Sequence, residues 1–141
     1  MNLLIVDDQI LFAESLKTVL ENRTSDMNVV AIGANGLEAI ELTKNYKPDI
    51  ILMDIRMPVM NGVESIKNIK TFDNKACILV LTTFDDDEYI YSALNHGAAG
   101  YILKDTPPEE LIQSIRAAYS GVIQLSKQIM PHLMIDKRQK V

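Results

Sequence analysis

The sequence predicts an α/β domain, doubly wound, with a central five-stranded parallel sheet between helices. Three observations lead there. Short aliphatic runs alternate with longer segments of helical spacing throughout the chain. One run, Ile50-Ile51-Leu52-Met53, has four apolar residues in succession, as a strand buried on both faces requires. Connecting segments are short and carry breaker residues such as Asn35-Gly36 and Asn61-Gly62.

In chain order, Asn2–Val6 reads as the first strand, closed by Asp7-Asp8. Ile10 to Arg23 is helical, with Leu11, Leu16, Val19 and Leu20 near helical spacing. Asn28–Gly33 mixes strand and turn cues, with Val29–Ile32 as the second strand, and Gly36–Asn45 is the second helix. Lys47 precedes Pro48, which disfavours helix and ends the segment. The third strand, ending at Met53, runs into Asp54 and a turn at Met57-Pro58. A helix over Gly62–Thr71 presents Val63, Ile66 and Ile69. Ala76–Leu81 is the fourth strand, followed by Thr82-Thr83. Asp85-Asp86-Asp87-Glu88 opens the fourth helix, where acids favour the unpaired N–H groups of the first turn. Gly97 caps that helix after His96, read as a cap-region residue. Gly100–Leu103 is the fifth strand, Lys104-Asp105-Thr106-Pro107-Pro108 a rigid turn, and Glu109–Ser120 the fifth helix. Tyr89, Tyr91 and Tyr119 are either exposed aromatics or core.

Size and composition bound the function. A chain of 141 residues, 48% apolar and 6% aromatic, suits one domain with a full core dominated by aliphatic packing. A formal charge of −5 argues against this segment gripping nucleic acid alone. Cys77 is the single cysteine, expected as a buried, inert thiol, so no intrachain disulfide forms and a cytoplasmic location fits. No run is long enough to span a membrane, and MNLLIVDDQ lacks the features of a signal peptide. Residues 1–121 are expected to be the domain. Residues 122–141, rich in Lys127, Lys137, Arg138 and Lys140, read as the start of a linker towards a missing C-terminal domain.

The chemistry lies at strand ends, where open α/β sheets place their ligands. With the first and third strands adjacent, Asp7, Asp8 and Asp54 meet at one edge. Carboxylates that close repel unless a cation sits among them, and oxygen ligands suit Mg2+. Asp8 and Asp54 are the expected carboxylate ligands, Asp7 acts through a bound water, and the carbonyl of Arg56 fills another position. The Arg56 side chain is expected to face solvent. Thr82, or else Thr83, offers a hydroxyl after the fourth strand, and Lys104 a mobile cation after the fifth. Together they suit phosphoryl transfer to Asp54 as nucleophile. Each residue alone has a plainer reading: a turn or cap for either Asp, a solvated Lys, a strand Thr.

Asp7-Asp8, Asp54 with Pro58 and Gly62 beyond it, Thr82 and Lys104 together resemble the receiver domain of two-component response regulators, over about residues 2–121. The resemblance implies a flavodoxin-like (βα)5 fold and a phosphoacceptor at Asp54. It implies an acidic pocket of Asp7 and Asp8 for Mg2+ (or Mn2+), and sensing of the phosphoryl group by Thr82 and Lys104. Tyr101 resembles the aromatic switch residue, whose ring turns inward when the hydroxyl residue moves. Many relatives carry Pro directly after the Lys. Here Asp105 and Thr106 intervene, and the Lys104–Asp105 bond is expected to be trans. ALNHGAAGYILKD and KDTPPEELIQSIRAAYSG resemble the NarL/FixJ subgroup with a LuxR-type helix-turn-helix effector. The implied partners are a cognate histidine kinase, a second copy on phosphorylation, and DNA only through the missing domain. Two competing readings are a phosphorylation-independent protein-binding module and an Mg2+-dependent phosphohydrolase, the latter lacking any insertion for a cap. A flavodoxin-like cofactor carrier needs a phosphate-cradling loop where Asp7-Asp8-Gln9 stands.

Overall fold

The structure is a computed structural model, and it describes residues 1–83 and 85–133. In order, the elements are β1 (Asn2–Val6), α1 (Ile10–Arg23), β2 (Asn28–Gly33), α2 (Gly36–Tyr46), β3 (Ile50–Met53), α3 (Gly62–Phe72), β4 (Ile78–Thr82), α4 (Asp87–Asn95), β5 (Gly100–Leu103), α5 (Pro108–Tyr119) and β6 (Gln124–Leu125). The strands form one sheet in the order β2-β1-β3-β4-β5-β6, every neighbouring pair parallel.

Alternation along each strand sends side chains to two separate cores. Leu3, Ile5, Ile50, Leu52, Leu79 and Leu81 pack with Ala13, Leu16 and Leu20 of α1 and Leu111, Ile115 and Ala118 of α5. Leu4, Val6, Ile51, Met53, Ile78 and Val80 pack with Ala39 of α2, Val63, Ile66 and Ile69 of α3, and Ile90 and Ala93 of α4. Both faces of the sheet are therefore covered, which is why β3 and β4 are apolar at nearly every position.

Local chemistry sets the helix starts. Asn35 and Asn61 cap α2 and α3, their side-chain oxygens accepting the amides of Glu38 and Glu64 at 2.9 Å each. Within the expected acid run, Asp86 is the cap of α4 and Asp87 and Glu88 are its first turn. Pro108 opens α5, where its missing N–H costs nothing. Among the described residues no peptide bond is cis. Cys77 is partly buried, and burial pushes its thiol up.

The expectation of a five-stranded (βα)5 sheet needs correction. A sixth strand, β6, pairs with β5, and residues 130–133 add further helix. The Gln124 amide donates to the Ala99 carbonyl at 3.0 Å and the Ser126 amide to the Tyr101 carbonyl at 3.2 Å. The physical reason lies at Gly100. A Cβ there would stand 2.1 Å from the Gln124 carbonyl oxygen, so the strand pair closes only because residue 100 has no side chain. A strand of two residues carries no readable period, and Gln124 and Leu125 were not recognisable as one.

Candidate functional site

Three strand ends and one strand-to-helix turn converge at the carboxyl edge of the sheet. β1 and β3 are neighbours in register, Val6 opposite Met53, so the residues after them, Asp7 and Asp54, emerge side by side. The Asp54 amide donates to the Val6 carbonyl at 2.9 Å and the Asp7 amide to the Gly33 carbonyl at 2.9 Å, extending the ladder into the site. Carboxylate oxygens of Asp7, Asp8 and Asp54 all lie within 4.8 Å of one another. Asp7 and Asp54 are buried, whereas Asp8 is exposed.

Lys104 enters from the far side of the sheet centre. Its Nζ lies 2.7 Å from Asp7 Oδ2 and 3.2 Å from Asp54 Oδ2, and the side chain is only 7% exposed. Nζ also donates to Gln9 Oε1 at 2.9 Å and stands 4.6 Å from the centre of the Phe12 ring. The lysine predicted as a mobile cation is thus held by four groups. The backbone completes the orientation of both acids: the Gln9 amide donates to Asp7 Oδ1 at 2.9 Å, and the Ile55 amide to Asp54 Oδ1 at 2.8 Å. Burial pushes the Asp7 carboxyl up. The hydrogen bonds from Lys104 and the Gln9 amide oppose this, and the Asp54 charge adds to the rise.

Gly62 allows the turn after Asp54. A Cβ there would stand 2.1 Å from the Asp54 carbonyl oxygen, while the Gly62 amide donates to Ile55 at 2.8 Å. In the same turn Val59 holds φ +71°, an uncommon, strained value for a β-branched residue.

The other expected residues lie around this cluster. Thr82 is wholly buried at the end of β4, opposite Leu103, and its carbonyl accepts the Lys104 amide at 2.8 Å. Thr83 is exposed. The Arg56 side chain is exposed, with its guanidinium carbon 5.5 Å from the centre of the Tyr89 ring on α4. Tyr101 lies inward, wholly buried in the α4-side core. Burial, then the charges of Asp54, Asp86 and Asp85, pushes its phenol up. Gln9 and Phe12 were missed from sequence. Gln9 follows the acid pair directly, and Phe12 lies three residues on, one helical turn away; that spacing was the available signal.

Residues 3–116 match the response regulator receiver domain family. The chain belongs to that family. The receiver domain is 45% identical over 117 residues to the uncharacterized transcriptional regulatory protein YxjL of Bacillus subtilis, covering 83% of this chain and 53% of that protein. It superposes with a TM-score of 0.89 and 31% identity on a LuxR-family two-component response regulator from Aurantimonas sp. SI85-9A1, over 96% of each chain. It also superposes, at 0.78 and 27% identity, on a chain of the CheX–CheY–BeF3–Mg2+ complex from Borrelia burgdorferi, over 84% of this chain and 89% of that one. The chain spans 53% to 64% of the length of the first three curated relatives. The acid cluster is a phosphoacceptor site of the kind typical of phosphorylation-activated response regulators. Its three carboxylates are hard oxygen donors converging within one coordination sphere's reach, a donor set that fits Mg2+. No helix among the described residues is long and apolar enough to cross a membrane.

Proposed function

We propose that the receiver takes a phosphoryl group from a histidine kinase onto Asp54 and relays this as a change of shape to a transcriptional output. The observation that carries the assignment is the placement of Asp54 between two opposed partners. Its Oδ1 accepts the Ile55 amide, and its Oδ2 faces the Lys104 ammonium. Held in this way, Oδ2 is the oxygen that attacks phosphorus. As the P–O bond forms, the bond from phosphorus to the donor imidazole nitrogen breaks, leaving an acyl phosphate. Lys104 then lies beside the new phosphoryl oxygens and balances their charge, and the Thr82 hydroxyl binds another.

Asp7, Asp8 and Asp54, with the Arg56 carbonyl, would hold Mg2+ or Mn2+. When bound, such a cation neutralises charge on the transferring group. The phosphoryl-mimic complex of the Borrelia CheY, which contains Mg2+, supports this cation. Tyr101 is the switch residue in this reading, its ring packed against α4. The family domain proper is residues 1–121, residues 124–133 dock onto it, and the chain leads on to a helix-turn-helix domain that binds DNA in the cytoplasm as a phosphorylation-dependent dimer. The length and naming of the Bacillus relatives support such an output.

The test is intact mass after incubation with Mg2+ and acetyl phosphate. We expect one added phosphoryl group on the wild type, none with EDTA, and none on Asp54→Ala. An adduct that persists on Asp54→Ala would overturn the assignment.

A further inference from the structure

Residues 124–133 do more than extend the sheet. β5 has four residues, and without β6 it would be an edge strand, frayed at the end that carries Lys104. The segment removes that edge. Gln124 and Ser126 donate to Ala99 and Tyr101, and Ser126 Oγ accepts the Leu103 amide at 3.0 Å. Leu103 immediately precedes Lys104, whose own amide is bonded to the Thr82 carbonyl. Three groups on β5 and its approach are therefore tied to the segment just before the chain enters the site.

The same segment then crosses to α4. Ile129 is wholly buried in the core that contains Tyr101, Ile90 and Ala93. His132 pairs through its ring nitrogens with Asp87 and with Asp85, the latter at 3.7 Å. The Tyr91 hydroxyl donates to the Leu133 carbonyl at 2.8 Å. Asp85 and Asp87 lie just downstream of Thr82, at the start of α4. One short stretch of chain thus grips both β5, which delivers Lys104, and the start of α4.

We propose that residues 124–133 form a strap that positions Lys104, so that strap docking and phosphoryl binding strengthen each other. Ile129 is its anchor and a positioning residue; it touches no reacting atom. This inference rests on the phosphoacceptor reading above. Coupling of this kind is reciprocal: if the docked strap raises affinity at the acid site, a ligand there raises protection of the strap by the same factor.

The experiment uses the whole chain with Mg2+ and beryllofluoride, a phosphoryl mimic. Two measurements are made: mimic affinity for the wild type, Ile129→Ala and His132→Ala, and hydrogen exchange at the Ser126 and Ile129 amides with and without the mimic. We expect Ile129→Ala to weaken the mimic about fivefold or more, the lower end of ordinary coupling. His132→Ala should weaken it less, and the mimic should slow exchange at both wild-type amides. A strap with a purely structural role would lower stability yet leave its exchange unresponsive to the mimic. Unchanged exchange, together with wild-type affinity in the variants, would overturn the strap while leaving the phosphoacceptor reading intact. Should Ile129→Ala fail to fold, His132→Ala and the wild-type exchange data decide alone. A wild type that binds no mimic would overturn both readings.

Discussion

Two sets of ion pairs in this molecule have similar distances and opposite meanings. On the α1–α5 side, Arg116 grips Asp26 with two parallel bonds of 2.6 and 2.9 Å. At the sheet edge, Lys104 reaches Asp7 and Asp54 at 2.7 and 3.2 Å. By geometry alone the surface pair is the better one, since an arginine fork matches a carboxylate. Exposure reverses the ranking: 44% and 52% for Arg116 and Asp26, against 7%, 3% and 5% for Lys104, Asp7 and Asp54. The surface pair is screened by water and salt. The buried trio gathers like charges that no stability argument favours, and its second carboxylate is what the phosphoryl chemistry requires. A region kept for chemistry is recognised here by electrostatic cost, not by bond length.

Four changes test that contrast, from the largest expected effect to the smallest. Lys104→Met should strand two buried carboxylates and destabilise the fold by about 3–5 kcal/mol in urea titration. Added Mg2+ should restore more stability to this variant than it gives the wild type, because the cation replaces the lost positive charge. An unaltered midpoint would show that the buried trio is no more costly than the surface pair. Gly62→Ala should come next. Its Cβ would collide with the Asp54 carbonyl, so Mg2+-dependent phosphorylation should slow by an order of magnitude or more while the circular dichroism of the sheet survives. Full-rate adduct formation would show that the turn can relax.

Asp8→Asn should act with the opposite sign. Asp8 makes no ion pair with Lys104, so its removal relieves repulsion without breaking a contact, stabilising by about 1 kcal/mol. The same variant should bind Mg2+ more weakly, by titration calorimetry. Destabilisation would mean that the cluster is not repulsive. Asp26→Asn is the smallest. The Arg116 guanidinium holds the Asp26 carboxyl below its ordinary value of 3.8. A lowered folded value gives stability that is present above the unfolded value and lost as pH falls through the folded one. The gap between wild type and variant should therefore be small at neutral pH, vanish in acid, and shrink in high salt. A gap that grew in acid would have the linkage backwards.

Much of the fold was legible. Strands β1 and β5 and helix α1 begin and end where the residue patterns put them, and β2 runs one residue further at each end than its apolar run. Helix α4 starts at Asp87 rather than Asp85, because Asp86 serves as the cap and lies outside the helix it begins. The convergence of Asp7, Asp8 and Asp54 followed from strand ends and a parallel sheet, and is found. Gln9 and Phe12 escaped notice. A glutamine and a phenylalanine at the start of a helix have ordinary local roles, and their contact with a lysine more than ninety residues away depends on how the helix packs.

The sequence by itself determined the layered α/β architecture and the acids, hydroxyl and lysine at its strand ends. Periodicity and breaker residues act over a few positions, and a parallel connection brings every strand's carboxyl end to one edge. Tertiary structure decided which carboxylates the lysine meets, because burial and the adjacency of β1 and β3 set those distances. It also decided that the sheet has a sixth strand. That depended on the bare backbone of Gly100 and the buried side chain of Ile129, contacts between distant parts of the chain that no local pattern encodes.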